Sequence, residues 1–422
     1  VKVLVIGSGA REHALCWVLA QSKYISQVYA APGNAGISDI GQSLPATDPL
    51  DGRSVAKAAE SCGADFIFMG PEAPCARGVV DALLERDIPV IGPPQESARL
   101  ESSKTFSKEF LFRHNIPTAQ ASMFSSFAEF EAHIKNNAGK KLVVKQSGLA
   151  AGKGVLESDK TAELLAFGNN ILKSDSLLVE EYLTGWEVSV FALSDGRDYK
   201  LLAPCTDFKK AHDNDTGPNT GGMGSICPVP TVDDTLWEMI KKRVVSPTFE
   251  GLSSDGLNYR GVLYFGLMIT ADGPKVLEYN IRWGDPEAQV LLPMIDTDFG
   301  LICKSLLDQE LDRTDIRMKS GAALGVVVAA AGYPGSYTKG IPITGLPTDN
   351  NDRLLVFHAS TGRNADGTVR TGGGRCFTVV GRGPDLRQAS ELAYSYTDQI
   401  RFEGAWYRSD IGKKFITGDS TL

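Results

Sequence analysis

Four short apolar runs in the first hundred residues, each stopped by glycine or proline, restrict the fold more than any other feature. Residues 3–6 run into Gly7-Ser-Gly-Ala-Arg-Glu-His13, and 28–31 into Pro32-Gly-Asn-Ala-Gly36. Residues 66–69 run into Gly70-Pro-Glu-Ala-Pro74, and 88–91 into Gly92-Pro-Pro94. Runs this short, without polar alternation, suit strands buried on both faces of a parallel sheet. After the first turn Ala14, Leu15, Val18 and Leu19 recur at helical spacing. Strand, turn and helix make the first unit of a doubly wound α/β domain, expected over residues 1–100. Ligands in such sheets sit beyond the carboxyl ends of the strands, where all four loops lie. The first loop is not a dinucleotide fingerprint: the third glycine would fall at Glu12, and no acidic residue ends the second strand. A glycine turn opening a helix still offers N–H groups to a phosphate, and Arg11 and His13 add charge. A small phosphorylated ligand is expected here in preference to a purely structural turn.

A second pattern lies at Val276-Leu-Glu-Tyr-Asn-Ile-Arg-Trp-Gly-Asp-Pro-Glu287. Its alternation predicts a strand with Leu277, Tyr279, Ile281 and Trp283 on a core face and Glu278, Asn280 and Arg282 on the other. A carboxylate and a carboxamide two residues apart can offer hard oxygens to one Mg²⁺. The guanidinium beyond can hold a carboxylate or phosphate with a two-pronged fork. Gly-Asp-Pro ends the strand and leaves Asp285 and Glu287 at its mouth. The competing reading is an ordinary strand with one solvated face, and other phosphate-compatible loops decide between them.

Such loops are present. Residues 104–112 read as a helix linking the first domain to the next, and 126–129 (Ser-Phe-Ala-Glu) as a capping box opening a helix to about Asn136. Lys141-Leu-Val-Val-Lys-Gln-Ser-Gly-Leu-Ala-Ala-Gly-Lys-Gly-Val155 reads as strand, glycine-rich loop and strand. It is not a Walker loop, since three residues separate Gly148 from Gly152, glycine follows Lys153 and no helix comes next. A hairpin with a glycine tip can instead fold over a nucleotide, with Lys145 and Lys153 neutralising phosphates. The strand at 177–183 brings Glu180 and Glu181 to a position suited to an adenine edge, and Glu187 could accept from ribose hydroxyls. Asp213-Asn-Asp-Thr-Gly-Pro-Asn-Thr-Gly-Gly-Met-Gly224 carries too much glycine for a helix or long strand. It is read as a backbone-built pocket with Asp215 and Asn219 as polar contacts. A helix is expected at 232–244 and a strand at 261–270. After Ser320, strands at 324–330, 354–358 and 376–380 and a helix at 385–400 suggest a separate α+β lid without a chemical constellation, and His358 reads as a core histidine.

Composition excludes several classes. A chain of 422 residues implies two to four domains, and its 42% hydrophobic and 22% charged residues are ordinary for a globular protein. A formal charge of −8 argues against nucleic-acid binding. Seven scattered cysteines without a Cys-x-x-Cys suggest neither a zinc site nor a redox pair, and fit reduced thiols in a cytoplasm. No apolar run reaches bilayer length, and no leader pattern opens the chain. A soluble cytoplasmic protein acting on small molecules, with no nucleic-acid or membrane partner, is expected.

Taken together and in order, these loops resemble the glycinamide ribonucleotide synthetases (phosphoribosylamine–glycine ligases), ATP-grasp enzymes of purine biosynthesis. The resemblance covers essentially the whole chain, and the Asp-Thr-Gly-Pro-Asn-Thr-Gly-Gly-Met-Gly and Asn-x-Arg-x-Gly-Asp-Pro-Glu motifs are its most specific parts. It implies a multidomain α/β and α+β protein with three parts: an N-terminal doubly wound parallel sheet, a central ATP-grasp fold and a small C-terminal α+β domain. The expected bounds are 1–100, 101–118 with 188–322 for the catalytic core, 119–187 for the flap, and 323–422. It also implies ATP, Mg²⁺ or Mn²⁺, glycine and 5-phosphoribosylamine as ligands, and a monomer in preference to an oligomer.

Residue by residue, the resemblance assigns Lys104, Lys145 and Lys153 to the ATP phosphates. Glu180, Glu181 and Leu183 would border the adenine, Glu187 the ribose, and Glu278 and Asn280 the metal. Arg282 would steady the glycine carboxylate as it becomes glycyl phosphate. Asp215, Asn219, Thr220, Gly221, Gly222, Met223, Gly224, Asp285 and Glu287 would surround glycine and the attacking amine. Gly9, Arg11, Glu12, His13, Pro32, Gly33, Asn34, Glu72 and Pro74 would hold the phosphoribosyl group. Ala10, Gln146-Ser147, Phe208 and Lys210 depart from the family's usual residues. Another ATP-grasp carboxylate–amine ligase and a non-catalytic nucleotide-binding module are the alternatives; a nicotinamide dehydrogenase is disfavoured by the failed fingerprint.

Overall fold

The computed structural model describes residues 1–149, 154–347 and 351–418. The four apolar runs do form a parallel sheet. Lys2–Gly7 lies at its centre, with Gln27–Pro32 and then Gln42–Ser43 on one side, and Phe66–Met69 and then Val90–Ile91 on the other. Gln42–Ser43 is too short to show in a periodicity. Val3, Leu4, Val5 and Ile6 are all fully buried, as helices on both faces require.

The glycine turn behaves differently from the expectation. Helix Ala10–Ala20 begins at Gly9, and the Gly9 N–H donates to Glu12 Oε2 at 2.6 Å. The side chain three residues into the helix therefore takes the N–H expected to be open to phosphate. Glycine is needed around that carboxylate: a Cβ on Gly7 would lie 2.4 Å from Glu12 Cγ, and one on Gly70 2.5 Å from it.

Two antiparallel four-stranded sheets follow. One runs Tyr199–Leu201, Trp186–Asp195, Arg260–Thr270, Gly273–Asn280; the other runs Ala121–Phe124, Leu177–Glu181, Leu142–Gln146, Val155–Ser158. The second has its own small core, including Phe130, Val144, Leu164 and Val179. Ser126 does sit at the start of helix Phe127–Asn136, but its side chain makes no capping hydrogen bond. The helix predicted over 232–244 continues further than expected. Asp234–Ile240 passes through a wider π turn, Lys241–Val245, into Ser246–Ser254. Pro247 lies just after the π turn.

The C-terminal strands are not a separate sheet. Thr206–Asp207 and Gly224–Cys227 pair onto Ala322–Ala329, which continues into Arg375–Gly383 and Leu354–His358. The glycine-rich loop thus leads straight into this sheet. A single buried cluster joins the parts, taking in Val3, Trp17, Phe191, Trp283, Phe299 and Phe357. Full burial of side chains of this size contributes about 1.5–3 kcal/mol each. Among the described residues no helix is long and apolar enough to cross a membrane, and the seven cysteines are free.

His13 and His358 meet where the N-terminal helix packs on the C-terminal sheet. The His358 N–H donates to His13 Nδ1 at 2.9 Å, and the His13 ring packs edge-on against Phe357. Burial lowers both imidazole pKa values, that of His358 to about 4, with Arg363 adding to the effect. The sign follows directly: neutral histidines support folding fully above the unfolded value, and that support is lost as pH falls from there through the folded value. His358 should therefore cost about 2 kcal/mol of stability between about pH 7 and pH 5, and His13 acts in the same direction. Urea unfolding at both values should show a steeper loss for the wild type than for His358→Gln. Equal losses in the two proteins would contradict the assignment.

Candidate active site

The strand that carries the proposed metal ligands departs from simple alternation in one place. Gly266 pairs with Glu278 while Leu267 pairs with Val276, which leaves Leu277 as a bulge. Val276 is fully buried in its place, Leu277 lines a cavity, and the strand ends at Asn280. The bulge also frees the Leu277 carbonyl, which accepts from Lys145 Nζ at 3.2 Å. Tyr279, Ile281 and Trp283 are core residues, as expected.

The cavity has a volume of about 490 Å³ and runs along this strand. Lys104, Lys108, Lys145, Leu149 and Glu180 line it on the flap side; Glu278 and Asn280 lie on the strand; Arg11, Glu72, Glu101, Arg282, Asp285 and Arg375 line it on the N- and C-terminal sides. Seven basic and seven acidic side chains line it in all. Six of the seven cations are already paired with a carboxylate, with which an arriving phosphate must compete; Lys104 instead meets the Gly148 carbonyl.

On the flap side Glu180 is buried and bridges Lys108 and Lys145, each at 2.7 Å. Burial works against ionisation of Glu180, but the two lysines outweigh it and hold its pKa below the ordinary carboxylate value. Burial lowers the Lys104 ammonium, partly offset by Glu278, and Lys104 Nζ donates to the Gly148 carbonyl at 3.2 Å. The unusual Ser147 and Gln146 have local partners: Ser147 Oγ meets Thr105 Oγ1 at 2.9 Å, and Gln146 Nε2 donates to Asp175 at 3.1 Å. Lys153 lies outside the described residues. Glu181, Leu183 and Glu187 are not in the lining: Glu181 accepts from the Gln120 N–H, Leu183 is buried, and Glu187 pairs with Lys209.

On the strand, Glu278 is exposed to the cavity and accepts from Asn280 Nδ2 at 3.2 Å. The surrounding walls disfavour its charge, but Lys209 and Lys145 outweigh them and keep its pKa below the ordinary value. Arg282 is clamped from two sides, with Nε on Glu72 at 3.2 Å and Nη2 on Glu101 at 2.8 Å. Glu101 also accepts from the Ile281 N–H at 2.7 Å. Burial pushes the Glu101 carboxyl up to about 7 against the pull of Arg282.

The N-terminal loops reach the cavity through Arg11 and Glu72 alone. Arg11 Nε donates to Glu12 at 2.6 Å, and its Nη1 to the Trp283 carbonyl at 3.1 Å. Gly9, Glu12, His13, Pro32, Gly33, Asn34 and Pro74 stand behind them. Asn34 is buried and ties this loop to the C-terminal sheet, Nδ2 donating to the His358 carbonyl at 2.8 Å. Gly33 has φ +78° and donates its N–H to the Gly7 carbonyl at 3.1 Å. In the glycine-rich loop Thr220 and Gly221 line the cavity, whereas Asn219 is exposed and Gly222, Met223 and Gly224 are buried.

Asp215 is the main correction. It occupies an exposed left-handed turn (φ +51°) outside the lining, where it pairs with the buried Arg408 at 2.9 Å. A buried guanidinium requires a counter-charge, and Asp215 with Asp410 supplies it. Phe208, another departure, packs beneath Arg408 and Lys414. Asp285 and Glu287 do line the cavity. Sequence reasoning missed Glu101, Lys108, Asp207, Lys209, Tyr264 and Arg375. Asp207 and Lys209 sit two residues apart, so alternation beside the glycine loop was a usable signal; burial, with nearby Glu287 and Glu187, raises Asp207 to about 8 despite Lys209. Gly372-Gly-Gly-Arg375 was another signal. Glu101 had none.

The Glu180 bridge can be tested apart from activity. Glu180→Gln leaves two buried ammonium groups unmatched and should destabilise the protein by about 3–5 kcal/mol. Denaturant unfolding measures this, and a change within about 0.5 kcal/mol would contradict a coupled buried triad.

Comparison with known proteins fits this geometry. Residues 1–101 match the N domain of phosphoribosylglycinamide synthetase, 102–288 its ATP-grasp (A) domain and 323–414 its C domain. A phosphoribosylamine–glycine ligase from Ralstonia nicotianae is 42% identical over 426 residues, covering 99% of this chain and 100% of the relative. The trifunctional purine biosynthetic protein adenosine-3 of Drosophila pseudoobscura pseudoobscura is 40% identical over 98% of this chain, which spans only 31% of that longer protein. The crystal structure of a phosphoribosylamine–glycine ligase from Thermotoga maritima superposes with a TM-score of 0.82 at 34% identity, covering 97% of this chain and 100% of that one. By sequence along its length and by fold, this chain belongs to the phosphoribosylglycinamide synthetase family.

Proposed function

We propose that this protein joins glycine to 5-phospho-D-ribosylamine using ATP, giving glycinamide ribonucleotide, ADP and phosphate through glycyl phosphate. The observation that carries the reading is the single cavity that runs from Lys104 and Lys145, past Glu278 and Asn280, to Arg282, Arg11 and Asp285. A carboxylate is not attacked by an amine near neutral pH without a leaving group. Phosphorylation supplies one, and phosphoryl transfer asks mainly for cations and positioning. In this reading residues 1–100 serve the phosphoribosyl side, 119–187 the flap, 101–118 with 188–322 the metal and reacting groups, and 323–422 close the site. The protein works in the cytoplasm on small molecules.

Lys104 and Lys145 hold ATP phosphates, and Lys153 is assigned to them by its place in the motif alone. Arg282 can exchange Glu101 or Glu72 for the glycine carboxylate, because its fork already meets two carboxylates in the required way. Glu101, with its pKa near 7, can take up a proton when it is displaced. Glu278 and Asn280 would hold Mg²⁺ or Mn²⁺. The fit is chemical: both offer hard oxygen, and Glu278 is held ionised. Such a pair suits Mg²⁺, an ion usually held by one or two carboxylates plus phosphate oxygens. When bound, such an ion neutralises phosphate charge and orients the transferred group. Arg11 and Glu72 face the phosphoribosyl side.

The direct test is release of ADP and phosphate that depends on both glycine and phosphoribosylamine. Glu278→Gln keeps the shape and removes the charge. It should fold, lose roughly a hundredfold or more in kcat, and regain part of that loss in excess Mg²⁺ or Mn²⁺. Full activity in this variant would remove the metal assignment. ATP cleavage indifferent to both substrates would remove the ligase reading.

A further inference from the structure

Arg375 is the only residue beyond Glu287 that lines the cavity among those described. It opens the strand Arg375–Gly383 of the sheet shared with the glycine-rich loop. Its Nη1 donates to the carbonyls of Gly221 at 2.6 Å, Gly222 at 3.3 Å and Asp285 at 3.0 Å. Its Nη2 donates to Asp285 Oδ2 at 3.0 Å. The Gly221 N–H is held by the Tyr333 hydroxyl at 3.0 Å, so the loop is fixed through both its donor and its acceptor. The other Asp285 oxygen accepts from Gln289 Nε2 at 2.8 Å. A Cβ placed on Gly9 would lie 3.9 Å from Asp285 Oδ2, so this carboxylate faces the N-terminal loop.

This network is distinct from the Arg282 clamp. Arg282 meets Glu72 and Glu101; Arg375 meets Asp285 and the glycine loop, and among the described residues no hydrogen bond joins the two. Arg375 also shares none with Lys104, Lys145 or Glu278. A guanidinium stays charged and holds its acceptors in a fixed plane. Arg375 therefore sets where Asp285 and the Gly221–Gly222 backbone stand, without reaching the phosphate end.

We propose that Arg375 is a positioning residue for the second half of the reaction: it holds Asp285 and the glycine loop as the surface that receives the attacking amine. The inference rests on the ligase reading above. In that step the amine nitrogen bonds to the carbonyl carbon of glycyl phosphate, the carbon–oxygen bond to phosphate breaks, and phosphate leaves with the electron pair. The proton lost from nitrogen departs with the phosphate. Asp285, ionised beside Arg375, accepts an N–H hydrogen bond and aims the nitrogen lone pair.

Sequential rapid-quench mixing separates the two halves. Enzyme, Mg-ATP and glycine give the rate of ADP formation before any amine is present; a second mixing with phosphoribosylamine gives the rate of amide formation. In Arg375→Ala, ADP formation should stay within about twofold of wild type. Amide formation should fall about ten- to hundredfold, the loss expected for charged hydrogen bonds. Added guanidinium should restore part of it. Arg375→Lys, which keeps the charge and loses the fork, should show the same split, and it serves as the test if the alanine variant fails to fold. Equal loss in both halves, or no loss in either, would overturn the proposal. If the wild type forms ADP only with the amine bound, the same split is read as ADP and amide formed in a single turnover with all three substrates, and ADP formed indifferently to glycine would count instead against the ligase reading.

Discussion

Arg282 is the charge on which the arrangement of the molecule turns. It follows the strand Gly273–Asn280, and its fork is met by Glu72 at the start of the short helix after Phe66–Met69 and by Glu101 from the helix Gln95–Ser102. A guanidinium so enclosed cannot shed its charge, and removing one partner of such a set costs several kcal/mol. The clamp fixes the parallel sheet against the central antiparallel sheet. The cavity lies where the carboxyl ends of the parallel strands face the Glu278–Asn280 row, as expected for ligand sites in open α/β sheets.

Pairing extends through the whole cavity. Lys108 and Lys145 share Glu180, Lys209 holds Glu187, and Arg375 holds Asp285. Cations arranged this way are preorganised at little cost in repulsion, and the lysines among them can trade a protein carboxylate for a ligand oxygen. Such exchange favours ligands that bring several anionic oxygens together, as a nucleoside triphosphate and an amino acid do. A neutral ligand would gain nothing from it.

Much of the fold could be read from local pattern. The parallel strands were legible because burial on both faces leaves uninterrupted apolar runs, as in Val3 to Ile6. The Glu278–Asn280–Arg282 row was legible because alternation separates the faces of a strand. Where a single residue broke the period, at the Leu277 bulge, the core face was misjudged for that residue alone. Non-local pairing was not legible. Nothing in the residues at 206–207 or 224–227 reveals that they join a sheet with strands a hundred residues later. That pairing is what brings Arg375 to Asp285 and makes the C-terminal part more than a lid. Glu101 was hidden for a similar reason, since one acidic residue in a helix carries no pattern. Asp215 misled in the opposite sense: a glycine-rich loop marks backbone conformation, and its polar side chain answers to Arg408 instead of the cavity.

The central claim is that this cavity converts the glycine carboxylate into an acyl phosphate before the amine attacks. Glycine labelled with ¹⁸O in both carboxylate oxygens tests it most directly, with the released phosphate analysed by mass spectrometry after turnover with ATP and phosphoribosylamine. The account predicts that each phosphate carries one labelled oxygen. Phosphate free of label would contradict it.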